Sequence, residues 1–241
     1  MKLVRYGMAL LCSALLASAA VAEEEKIGSP ADDFGALVDC DLNGYKSEVV
    51  TFPQPIAIPD NVAAGVTFGP VLIPADGALI DDVIIDINFG HSWMGDVIAV
   101  VGYDATCDGS VDAQTTLLCR VGRATCVGGT GFGCSSNFGT SSSSTAPGFA
   151  PYHFSDAMAI MPCPAATPGF LAAGCYKPTG VGAGLLSVFD NMAKGGCWYL
   201  NISDNAAADL GAVAGWSVHI KNRGTVGVEP AAWGSVKTLY N

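Results

Sequence analysis

Two alternating runs near the C-terminal end leave this chain few folds to choose from: Cys197-Trp-Tyr-Leu-Asn-Ile-Ser203 and Ala214-Gly-Trp-Ser-Val-His-Ile220. A period of two, carried by β-branched and aromatic residues, is that of a half-buried strand, so both runs read as strands. The segment between them, Asp204-Asn-Ala-Ala-Ala-Asp-Leu-Gly211, is dense in turn formers. That predicts neighbouring antiparallel strands with a longer connection. Trp198, Leu200 and Ile202 fall on one face of the first strand, and Trp216, Val218 and Ile220 on one face of the second. Left in water, each of these side chains would forfeit about 1.5–3 kcal/mol of burial, so another sheet must cover them.

The upstream sequence supplies candidate strands. Glu48 to Ile58 alternates but is interrupted by Pro53 and Pro55 and followed by Pro59, which confines it to a sheet edge. Val66 to Ile73 is a short strand closed by the turn Pro74-Ala-Asp-Gly77. In Leu79 to Asn88, Val83, Ile85 and Ile87 form the better core face, while Ile80, Asp82, Ile84, Asp86 and Asn88 share the other. Val97-Ile-Ala-Val-Val101 is continuously apolar, as at the centre of a sheet or in a strand buried on both sides. Half the residues are apolar, Gly numbers 30, and no long segment has helical periodicity. One all-β domain of short strands follows from this at 241 residues.

Six motifs, in order, resemble the P domain (P/Homo B domain), the β-sandwich that follows the subtilisin-like catalytic domain in kexin- and furin-type proprotein convertases and occurs in secreted bacterial proteins. Ile58-Pro-Asp-Asn61 resembles its opening strand and turn, and Asp82 to Asn88 followed by Gly90-His-Ser-Trp-Met-Gly-Asp-Val97 its "THTW.GDL" strand pair. Leu117-Leu-Cys-Arg-Val-Gly122, Tyr152-His-Phe-Ser-Asp-Ala157 and Gly174-Cys-Tyr-Lys-Pro178 resemble later elements of bacterial members. The last motif runs from Leu186-Ser-Val-Phe-Asp190 through Gly196-Cys-Trp-Tyr-Leu200 and Ser203 to Gly211 to Gly215-Trp-Ser217. The resemblance spans residues 46–222 and implies a β-sandwich with jelly-roll-like topology, interacting with or stabilising a protein partner such as a secreted serine endopeptidase.

Residues 1–22 carry a basic start (Lys2, Arg5), an apolar run from Met8 to Ala17 and the ending Ala20-Val-Ala22. This three-part pattern predicts a signal peptide, hence a secreted, periplasmic or cell-surface protein with no transmembrane span once it is cleaved. Residues 23–45 then form an acidic N-terminal extension and 223–241 a C-terminal tail, in which Glu229-Pro230 and the spacing of Trp233, Val236, Leu239 and Tyr240 suggest a short helix. Apart from Cys12 in the leader, eight cysteines remain, which in an exported chain predicts up to four disulfides with 105 possible pairings. Favouring local pairs gives Cys107–Cys119, Cys126–Cys134 and Cys163–Cys175, leaving Cys40 for Cys197. The Cys- and Ser-rich stretch 104–151 reads as an insertion held by disulfides, and Gly139 to Thr145 as a flexible surface loop. A net charge of -11 disfavours nucleic acid.

No catalytic residue is assigned. His91, His153 and His219 and the many serines lie in no G-x-S-x-G or subtilisin-like context, and structural roles are expected for all three histidines. His219 should point away from the face of Trp216, Val218 and Ile220. Asp96, Asp190 and Asp204 sit at predicted strand ends whose convergence could hold calcium, an oxygen-seeking cation. Trp93 and Trp233 are the candidates for surface contact. The leading expectation is a non-catalytic, exported interaction or stabilisation module; a calcium-dependent glycan- or surface-binding module is the alternative, and a cryptic hydrolase a third.

Overall fold

The computed structural model describes residues 40–128, 131–164 and 169–223. The expected signal peptide, most of the expected N-terminal extension and the tail with Trp233 and its expected helix lie outside the described residues. In chain order the strands are β1 (Tyr45–Ile58), β2 (Val62–Ile73), β3 (Leu79–His91), β4 (Val97–Asp104), β5 (Ala113–Cys119) and β6 (Asn137–Phe138). They continue as β7 (Ala150–Phe154), β8 (Phe170–Leu171), β9 (Gly174–Tyr176), β10 (Thr179–Gly180), β11 (Gly196–Asp204) and β12 (Gly211–Arg223). One sheet has the order β1-β12-β3, with β6 and β7 both on the far side of β3 and carrying β8 and β9 respectively; the other runs β10-β5-β4-β11-β2. The two sheets make an all-β sandwich, the class that alternation and turn spacing predict and the jelly-roll-like form that the resemblance implies. β1 is the edge strand that its prolines require, and β4 lies in the middle of its sheet.

The two founding strands do not pair with each other. β11 lies between β4 and β2, whereas β12 lies between β1 and β3 in the opposite sheet. Residues 205–210 therefore carry the chain across the sandwich instead of closing a hairpin. The faces that needed covering cover one another: Trp198, Leu200, Ile202, Trp216, Val218 and Ile220 all join one buried core with Val83, Ile85 and Ile87. Trp198 packs on Tyr103 and Phe189 with ring centroids 4.9 and 4.8 Å apart. At the other side of the core, Phe89, Phe138 and Tyr152 form a triangle with centroids 4.7–5.3 Å apart. Each such aromatic hides about 150–250 Å² from water, so these clusters dominate the apolar burial.

The stretch 104–151 is part of this core and not an appendage to it. β5 pairs between β4 and β10, and Leu117, Leu118, Val121, Cys134 and Phe138 are buried. The serine-rich loop is closed on itself: the N–H groups of Thr140 and Ser141 donate to Pro147 O, and the Asn137 amide donates to Ser141 O and Ser143 O at 3.0 and 2.9 Å. Serines satisfy local backbone groups well, and one buried asparagine suffices to gather the loop.

The disulfides differ from the local pairing at every cysteine. They are Cys40–Cys175, Cys107–Cys197, Cys119–Cys126 and Cys134–Cys163, with separations of 135, 90, 7 and 29 residues. Sheet order explains the long ones. Cys197 stands opposite Asp104 on β4, which brings Cys107 within reach just past the end of that strand. Sequence proximity carries none of this information.

Candidate functional site

Of the three carboxylates expected to converge, the fold brings two together and parts the third. Asp96 ends a 3-10 turn (Met94–Asp96) before β4, and Asp204 ends β11 opposite Val97. The Asn205 N–H donates to Asp96 O at 2.9 Å, tying the two strand ends. Asp190 follows the 3-10 turn Leu186–Phe189 beside the start of β3, where Asn191 N–H donates to Ile80 O. At about 3.3 Å per residue, the length of β3 separates it from the other two. Burial and the carboxylates of Asp82, Asp156 and Asp81 push the Asp190 carboxyl above its ordinary range.

Neither member of the closer pair is free of protein partners. Arg120 is buried; its Nε donates to Gly95 O at 2.9 Å and its Nη2 to Asp96 Oδ1 at 2.8 Å. Burial pushes the Asp96 carboxyl up, and the arginine only partly offsets this. Asp204 Oδ1 accepts from the Ala206 N–H at 3.1 Å, while its Oδ2 lies 3.3 Å from Nε2 of His91 without a hydrogen bond, both side chains being fully buried. Among the described residues no group of three or more His, Cys, Asp or Glu side chains is placed to hold a metal ion. Trp93 is half-buried: its indole N–H donates to Phe132 O at 2.7 Å, and its ring meets Phe132 edge-on. The exposed aromatic at this spot is Phe132, 81 % accessible, which sequence patterning did not single out.

A second buried polar cluster lies on the outer face of the first sheet. Asp86 (β3) stands opposite Ser217 (β12) and His153 (β7), and Ser47 (β1) stands opposite His219 (β12). His153 Nδ1 is hydrogen-bonded to Asp86 Oδ1. His219 Nε2 lies 2.5 Å from Asp86 Oδ2, and its Nδ1 lies 2.6 Å from Ser47 Oγ. Ser217 Oγ adds a contact to His219 Nε2 at 3.1 Å. One proton arrangement satisfies the chain: both imidazoles donate to the carboxylate, and the Ser47 hydroxyl donates to Nδ1 of His219. Burial alone would raise the Asp86 carboxyl, but the hydrogen bonds from His153 and His219 outweigh it and hold it below the usual carboxylate range.

Sequence phase placed Asp86 and His219 on the outer face correctly but could not bury them. Cys175 on β9 stands opposite His153 and so shares its face, and Cys40 is bonded to it. Tyr45, at the start of β1, donates its hydroxyl to Asp82 Oδ2 at 2.5 Å on that same face. Residues 40–45 therefore strap the outer face from β9 to β1. Asp86 and His153 are 1 % accessible and His219 5 %, while Ser47 stays exposed. A mid-strand carboxylate and two mid-strand histidines in otherwise apolar strands were the available signal.

A cleft of about 440 Å³ opens between the serine-rich loop and the start of β12, lined by residues 145–149, Gly90 and 210–212. Phe149 and Leu210, both partly exposed, line it. Its walls meet because Gly90 has no side chain; a Cβ there would lie 1.7 Å from Gly148 O. No family model matches this chain, and neither does any curated protein.

Proposed function

We propose that this chain is an exported P-domain-like module that acts by binding and stabilising a protein partner, with a secreted subtilisin-like serine endopeptidase as the partner class. The observation that carries this reading is the cleft between residues 145–149 and 210–212, an uncharged recess on a rigid sandwich. Loops held on such a scaffold bind at little ordering cost. Four disulfides accord with an oxidising compartment. Among the described residues no helix is long and apolar enough to cross a membrane. The six ordered motifs supply the partner class. Calcium-dependent glycan binding has less in its favour, because Asp190 lies apart and Asp96 is already held by Arg120.

Titration calorimetry of the disulfide-intact chain against a secreted subtilisin-like endopeptidase tests the proposal. Saturable binding is expected, weakened at least about tenfold by Phe149→Asp with Leu210→Asp, since charges would be desolvated in the recess. Absence of binding by the unaltered chain, or unchanged affinity in the double variant, would overturn it.

A further inference from the structure

The hydrogen-bonded line Ser47–His219–Asp86 has the order of a nucleophile, a base and an orienting carboxylate. Ser47 Oγ is 2.6 Å from Nδ1 of His219, and Nε2 of the same ring is 2.5 Å from Asp86 Oδ2. Exposure is graded as nucleophilic chemistry requires: the serine is open to solvent, while the base and carboxylate are buried. Asp86 is itself fixed by a second imidazole, because His153 Nδ1 binds its other oxygen. His153 Nε2 is buried with no hydrogen-bond partner, so that ring spends its donor on the carboxylate alone. An outer-face carboxylate on a sheet is ordinarily solvated, yet this one is 1 % accessible, on the face that Cys40 and Tyr45 are anchored to. Holding a carboxylate out of water strengthens its hold on an imidazolium.

The geometry points to Ser47 as an acyl-accepting nucleophile activated by His219 and Asp86, with uncharged carboxylic esters as the substrate class. This goes beyond the interaction reading and stands without it. As Ser47 Oγ bonds to the ester carbonyl carbon, its proton passes to Nδ1 of His219 and the carbonyl electron pair moves onto oxygen. The pair returns, the bond to the alcohol oxygen breaks, and the proton on Nδ1 goes to the departing alkoxide. Water repeats the sequence on acyl-Ser47, releasing the carboxylic acid and restoring the hydroxyl. Asp86 keeps its charge throughout and stabilises the imidazolium, with His153 as its positioning residue. Neutral esters are specified because a chain of net charge -11 repels anions.

An alkyl fluorophosphonate is the probe, applied to the disulfide-intact chain and read by intact mass and peptide mapping. The expected result is one adduct per chain on the peptide containing Ser47, with none on that peptide in Ser47→Ala, a variant whose folding is checked by circular dichroism because it leaves Nδ1 of His219 without its donor. A chromogenic acetate ester should be turned over, and turnover should fall at least about 100-fold in Ser47→Ala, while Asp86→Asn should slow adduct formation about 10²–10⁴-fold. A folded wild-type chain that takes no adduct, or takes it on another residue, overturns the inference. So does ester turnover that survives Ser47→Ala.

Discussion

Replacing Asp86 by Ala should destabilise this protein more than any change of a solvated carboxylate could. The carboxylate is 1 % accessible, and each of its oxygens accepts from one imidazole. Two hydrogen bonds to a charged group are worth about 1.5–3 kcal/mol each. The variant no longer desolvates a carboxylate, which offsets part of the loss, but it strands the N–H groups of His153 and His219 in a buried site. Breaking a buried ionic cluster by removing one partner costs about 3–5 kcal/mol, which for a domain of this size lowers Tm by about 6–20 °C. The pH dependence carries the sign. The folded-state carboxyl lies below its ordinary value near 3.9, so its contribution is complete above that pH and disappears as pH falls through the folded-state value. Urea unfolding of both proteins with disulfides intact, at pH 7 and again from pH 4 downwards, is the assay. A gap below about 1 kcal/mol at pH 7, or one that persists undiminished at the acid end, would refute the reasoning.

Two further substitutions probe other parts of the structure. Gly90→Ala places a Cβ 1.7 Å from Gly148 O, so the loop at 145–149 must move away from β3; hydrogen exchange there should accelerate, whereas Gly102→Ala, which meets only Val111 side-chain atoms at 3.2 Å, should leave that loop unchanged. Arg120→Met leaves the buried Asp96 carboxylate unpaired, at a cost of about 3–5 kcal/mol at pH 7. Because burial already raises the Asp96 carboxyl and the arginine opposes that rise, the variant should regain stability relative to wild type as pH falls and Asp96 is protonated; a gap independent of pH in urea unfolding would contradict this.

The fold was legible wherever the information was local. Alternation in β3, β11 and β12 identified the buried faces correctly, and the prolines of β1 marked the edge. What failed was everything set by the path of the chain between strands. Residues 205–210 look like a hairpin connection, and only their span across the sandwich distinguishes an arch from a hairpin. Cys107 pairs with Cys197 because β4 and β11 are neighbours, a fact that no spacing encodes. The polar cluster follows the same logic. Phase put Asp86 and His219 outside the core but carried no sign of their burial, because residues 40–45 are brought to that face by Tyr45 and by a cysteine 135 residues away. Ser47 carried no motif at all; it becomes notable only through the register that sets it opposite His219.

Residues 40–45 are held across the outer face of Asp86 by Tyr45 at one end and by one covalent link at the other. Peptide mapping of the native, non-reduced chain by mass spectrometry tests that link most directly. The structure predicts peptides joined through Cys40–Cys175, together with Cys107–Cys197, Cys119–Cys126 and Cys134–Cys163. Finding Cys163 joined to Cys175 and Cys40 to Cys197 instead would remove the strap from the face of Asp86 and contradict the burial on which the site rests.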